Sequence, residues 1–247
     1  MPSTAVNGID EYFSRVGRQL TQVVEDQRDN LAHFADLWAQ SIREDKLLYA
    51  FGSGHSRFIA GELYWRAGGL APVVVIDDPS NGAAERLEGY AGTFLDHYDL
   101  KTGDLVVVIS NSGINPVPIE VATGAREKGA TVVALTSRAH SNSVTPRRSA
   151  GKRLHEIADL VIDTGIPAGD ALVEMQDSRL RAGPASTVIS TALLNAVVVQ
   201  TAQNLLAAGI EPPVLVSANV AVGDQHNQEL AARYWPRLTK FPRLGLI

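Results

Sequence analysis

Two short runs of small and polar residues carry the chemistry open to this sequence: Gly52-Ser53-Gly54-His55-Ser56, and Ser110-Asn111-Ser112-Gly113 with Asn115 just beyond it. Each follows an apolar stretch of strand length and precedes residues at helical spacing. In a strand–turn–helix unit the N–H groups of the first helical turn have no partner inside the helix. They point at the turn, so the natural occupant is an anion. Gly and Ser also make ordinary turns, so one such loop says little, and a second about fifty residues on says more. The second loop holds two hydroxyls and an amide, which lower stability unless something binds them.

Five apolar runs read as strands, at 47–51, 72–76, 105–109, 131–135 and 160–162, alternating with helical stretches and without hairpin signals between them. That alternation predicts an α/β protein with a doubly wound, five-stranded parallel sheet in the order 2-1-3-4-5. Ligands bind such sheets in the crevice between the carboxyl ends of strands 1 and 3, and both loops follow those strands. The helix after the first loop is expected to run to a stop at Gly68 and Gly69, and Asn115 and Pro116 supply an N-cap and first position for the helix after the second. Residues 165–170 read as a turn, and 185–208 as a long apolar helix capped by Ser186 or Thr187. Residues 212–217 read as a strand or extended tail, and 224–234 as a last helix with His226 and Asn227 in its first turn. Residues 8–45 have the spacing of one amphipathic helix, suited to packing or dimerisation. The expected division is 1–45 as an N-terminal helical arm, 46–210 as the α/β domain and 211–247 as a C-terminal extension. The basic stretch 138–153, with Arg147, Arg148, Lys152 and Arg153, reads first as a solvated loop and second as a rim over an anionic ligand.

With 247 residues, 45% of them hydrophobic, the chain can bury the core of one large domain. A net charge of −5 and the lack of a basic helix-turn-helix argue against nucleic acid as a partner. The absence of cysteine excludes disulfides, thiolate catalysis and cysteine-ligated zinc. The six histidines show no H-x-x-x-H or H-E-x-x-H spacing, so neither a metal nor another cofactor is predicted. Acids precede any apolar run in the first twenty residues. The most apolar helix is interrupted by Ser190, Thr191, Asn195, Gln200 and Gln203. No signal peptide, no membrane span and a cytoplasmic location are the expectations.

The two strand-loop-helix units, followed by a strand ending in Leu135-Thr136-Ser137, resemble the sugar isomerase (SIS) domain over roughly residues 30–210. Within that family the chain is most similar to uncharacterised proteins named after phosphoheptose isomerases. The resemblance implies a three-layer, flavodoxin-like sheet, a sugar phosphate as ligand, and a homodimer or homotetramer whose active sites are shared between subunits. By position, Ser110, Asn111 and Ser112 match the family's phosphate-binding loop, with Gly113 beside them, and Asn115 falls where many members place a threonine. Ser56 matches the serine ending the first loop, and Gly52, Ser53, Gly54 and His55 complete the substrate-binding set. Glu62 matches the glutamate that phosphoheptose isomerases use as catalytic base, although Glu62 and Arg66, at i and i+4, also fit an ordinary surface pair. The histidine those enzymes carry in the long helix falls on Asn195, which cannot shuttle protons. His226, His55 and His97 are the candidates for that role, His226 first.

The resemblance points to aldose–ketose isomerisation through an enediolate. A non-catalytic phosphosugar sensor suits the missing histidine, and a lyase or etherase acting on an amino-sugar phosphate would use the same cradle. A dinucleotide site ranks below these, because GSGHSR lacks the third glycine of G-x-G-x-x-G, although Asp77 or Asp78 could serve as its acid.

Overall fold

The computed structural model of the chain describes residues 7–147, 149, 151–220 and 223–238. In chain order it contains α1 (Gly8–Arg43), β1 (Leu48–Gly52), α2 (Arg57–Glu62), β2 (Val73–Ile76), α3 (Gly92–Leu95), β3 (Leu105–Ile109) and α4 (Pro116–Glu127). Then follow β4 (Thr131–Thr136), α5 (Arg138–Asn142), β5 (Leu160–Asp163), β6 (Ala171–Glu174), β7 (Arg181–Pro184), α6 (Ser186–Ala207) and α7 (Gly223–Leu238). Strands β1 to β5 form one parallel sheet ordered β2-β1-β3-β4-β5, as the alternation of strands and helices predicts.

The central strands β1 and β3 are buried at every position because helices cover both faces. Alternate side chains enter two cores: Leu48, Ala50, Leu105 and Val107 pack with α1, α2 and α6. Tyr49, Phe51, Val106 and Val108 pack with α3, α4 and Tyr234 of α7. This is the three-layer arrangement.

Helix α1 gives Phe34 and Trp38 to the core, both 0% exposed and stacked at 6.1 Å, while Ile9 and Phe13 near its start stay exposed. Helix α6 is, contrary to the sequence reading, long and apolar enough by length and composition to cross a membrane. In this fold Ile189, Leu193, Leu194, Val197 and Leu205 bury it in the first core. Neither Ser186 nor Thr187 caps it. Ala185 holds the cap position, and the Asp170 carboxylate accepts hydrogen bonds from the N–H groups of Ala185 and Ser186 and from the Ser186 hydroxyl.

Two departures from the sequence reading have identifiable causes. An antiparallel hairpin, β6 with β7, stands between β5 and α6; its connection places Asp177 at φ 56, the left-handed conformation tight turns require. Helix α2 stops at Glu62 instead of continuing to the glycines, because Trp65 turns left-handed at φ 45 and its ring stacks on Trp235 of α7 at 5.7 Å. Residues 212–217 are extended, with a single antiparallel bridge between Leu70 and Val214.

Candidate functional site

Gly52 at the end of β1 lies opposite Ile109 at the end of β3, so the two loops leave the sheet side by side. The first loop turns so sharply that a Cβ on Gly52 would lie 2.3 Å from the Ser56 carbonyl oxygen. Residues 78–85 then press on it: a Cβ on Gly82 would lie 2.6 Å from the Gly54 Cα. Asp78 clamps the two together. Its Oδ2 accepts from the Ser53 hydroxyl (2.7 Å) and the Gly82 N–H (2.9 Å), and its Oδ1 from the Ser80 N–H (2.9 Å) and hydroxyl (2.7 Å). Burial pushes the Asp78 pKa up, but the hydrogen bonds from Ser53, Ser80 and Gly82 outweigh it and hold the carboxyl below its ordinary value. Asp78 is therefore occupied in building the loop, which takes one candidate acid from the dinucleotide reading. Ser53, assigned to substrate, gives its hydroxyl to this clamp. Asp78→Ala strands the Ser53 hydroxyl and the Gly82 N–H and is expected to cost about 1–3 kcal/mol, measured by urea unfolding.

In the second loop the Ser110 hydroxyl accepts from the Gly113 N–H at 3.2 Å. Gly113 sits at φ 59 with Thr136 Oγ1 2.8 Å from where a Cβ would be, so only glycine fits. The Asn111 carbonyl accepts from the Ser137 N–H at 3.0 Å, its side-chain Nδ2 faces His140 Nδ1 at 3.3 Å, and its Oδ1 is buried without a partner among the described residues. Asn115 stands at the N-cap position of α4 but does not cap; its Oδ1 accepts from Arg147 instead, at 3.2 Å. The first turn of α4 is a sparser donor set than expected. Pro116 and Pro118 have no N–H, and the Val117 N–H donates to the Glu85 carbonyl at 3.2 Å.

A family model described as "SIS domain" matches residues 11–137. The chain belongs to the SIS domain family. Among its relatives are UPF0309 proteins of Geobacillus thermodenitrificans, 36% identical over 239 residues (93% of this chain, 96% of the relative), and of Brucella canis, 40% identical over 237 residues (92% and 96%). Similar solved structures are the phosphoheptose isomerase of Neisseria gonorrhoeae (TM-score 0.59, 20% identity, 81% of this chain and 100% of that one) and the NanR protein of Vibrio vulnificus complexed with ManNAc-6P (TM-score 0.55, 17% identity, 96% and 72%). At such identities the likeness to the solved structures is one of fold.

In this SIS protein Glu62 is the last residue of α2, and its carboxylate pairs with Arg66, as their spacing suggests. His55 is exposed at the crevice, edge-on to Phe58 at 5.1 Å, and His97 is exposed just after α3. His226 is not brought to the crevice of its own chain. Its Nε2 bonds the Val214 carbonyl at 2.8 Å, and Asn227 clasps Val216 through both amide atoms. The same helix holds Asp45, ahead of β1, through Arg233 and Arg237, so α7 lies along the amino edge of the sheet, opposite both loops.

Two groups at the crevice of the SIS fold went unassigned from sequence. Glu85 is half-buried, with its Oε2 3.9 Å from the Cβ position of Gly54; the density of polar residues over 81–98 was its signal. His140 lies against Asn111 on α5, in a stretch that reads as a polar loop. Burial lowers its pKa, opposed in part by the charge of Asp170. Burial likewise lowers that of His155, whose Nδ1 is buried without a partner among the described residues. Both take up a proton less readily in the folded protein than in the unfolded chain. The stability they contribute is complete above the ordinary histidine value of about 6.5 and is lost as pH falls from there through their lowered folded-state values. The urea midpoint is expected to drop between pH 7.5 and 5.5, and to drop less in a His155→Gln variant.

A separate groove of about 610 Å³ between residues 88–96 and α4 is lined by Glu88, Asp96, Glu120 and Glu127, with Lys128 paired to Asp96. Its charge disfavours a phosphate.

Proposed function

We propose that this SIS protein binds a sugar phosphate in the crevice between the two loops and interconverts its aldose and ketose forms through an enediolate. The observation that carries the reading is the placement of the second loop, with its buried Asn111 Oδ1 that has no partner among the described residues, beside the glycine-shaped first loop at the switch point of the sheet. Likeness of fold to a phosphoheptose isomerase and to a ManNAc-6P complex supports the ligand class.

Residues Ser110 to Ser112 hold the phosphate. Glu62 lies six residues past Ser56, roughly 9 Å on at 1.5 Å per helical residue, at the reach of the sugar carbons. Its carboxylate takes the proton beside the carbonyl, the electron pair moves onto the carbonyl oxygen as an enediolate, and the proton returns to the neighbouring carbon. A histidine opens the ring and moves hydroxyl protons. His140 stands at the second loop for this role, and His226 enters it only from a neighbouring copy in a cytoplasmic homo-oligomer with shared sites. Asn195, where phosphoheptose isomerases carry a histidine, favours a second reading, a phosphosugar sensor.

Proton NMR in D₂O with a panel of sugar phosphates separates these. Loss of the signal on the carbon next to the carbonyl is expected. Line broadening without exchange supports the sensor, and an unsaturated or cleaved product supports a lyase or etherase.

A further inference from the structure

The second loop has little with which to balance a dianion. Two prolines and one occupied N–H empty the first turn of α4 of most of its donors, and serine hydroxyls carry no charge. Arg147, in the stretch 138–153 that reads first as a solvated loop, and Leu154 just past it are both tied to this loop. The Arg147 N–H donates to the Ile114 carbonyl at 3.1 Å and the Leu154 N–H to the Gly113 carbonyl at 2.9 Å. Between these anchors the Ser149 N–H (2.7 Å) and hydroxyl (2.8 Å) bond the Glu88 carboxylate. Backbone anchoring thus lays the Arg147 side chain along the loop, where its Nη1 meets Asn115 Oδ1.

That bond takes one of the five guanidinium donors. No carboxylate pairs with Arg147 among the described residues. Of the other described cations near the crevice, Arg153 donates to the carbonyls of Ser141 and Val144, Arg57 lies over the Phe58 ring and bonds Asn81, and Arg66 pairs with Glu62. Arg148 lies outside the described residues. A guanidinium with open donors presents the planar fork that phosphoryl oxygens accept in pairs. We propose that Arg147 is the cationic ligand of the bound sugar phosphate and sets the preference of the crevice for a doubly charged ester over a neutral sugar. This rests on the reading of the crevice given above.

Calorimetric titration of the full chain with aldose and ketose 5-, 6- and 7-phosphates tests it, in wild type, Arg147→Met and Arg147→Lys at two salt concentrations. Arg147→Met is expected to bind the tightest of these sugar phosphates about 10- to 100-fold more weakly, with a shallower dependence on salt, and Arg147→Lys to recover part of the loss. The melting temperature is expected to stay unchanged, since Arg147 is exposed. Wild-type affinity and salt dependence in Arg147→Met would overturn the inference and leave the crevice reading standing. Failure of the wild type to bind any sugar phosphate would overturn both.

Discussion

Glu62→Gln is expected to lower turnover of a sugar phosphate by about 10²- to 10⁴-fold while leaving its binding unchanged. Glutamine keeps the shape of the side chain and still accepts a hydrogen bond from Arg66, but it cannot take the proton beside the carbonyl. The Glu62–Arg66 pair is partly solvated, with side chains 29% and 49% exposed. An exposed i,i+4 pair of this kind contributes at most a few tenths of a kcal/mol, about 0.5 as an upper figure, so a loss of turnover is not a loss of fold. A base acting only in the transition state lowers kcat and kcat/KM together. Glu85→Gln is the companion variant, because the Glu85 carboxylate also stands beside the first loop and, unlike that of Asp78, does not clamp it. Full turnover in Glu62→Gln with a collapse in Glu85→Gln would move the base to Glu85.

Trp38→Ala is expected to destabilise the protein by about 3–5 kcal/mol. The ring is 0% exposed, lies in the core built by α1, α6 and one sheet face, and stacks on Phe34. Its Nε1 is buried without a partner among the described residues. Trp38→Phe therefore removes an unsatisfied donor along with some volume and is expected to cost much less than the alanine. Urea unfolding of the two variants distinguishes the effects; a small loss in Trp38→Ala would place α1 outside the core.

Strand order and the position of the loops were legible because they rest on local signals: all-apolar β1 and β3, small residues at 52–56 and 110–113, and helices between parallel strands. What was not legible depends on contacts distant in sequence. The end of α2 is set by the stacking of Trp65 on Trp235. Asp78 acts through Ser53, Ser80 and Gly82 together, and no spacing announces such a clamp. The 176–178 turn of the hairpin uses Asp177 in place of the glycine that would have marked it. His226 drew attention through the polar density around it, yet within its own chain it anchors the extended segment at Val214. The bond from Arg147 to Asn115, which brings Arg147 to the second loop, joins residues 32 apart.

The central claim, that the crevice between β1 and β3 is where a sugar phosphate binds, is met most directly by amide NMR of the ¹⁵N-labelled chain during titration with that sugar-phosphate panel. Chemical-shift changes concentrated in residues 52–56 and 110–115 are the predicted result. Changes confined to the acidic groove between residues 88–96 and α4, or no change with any sugar phosphate, would contradict it.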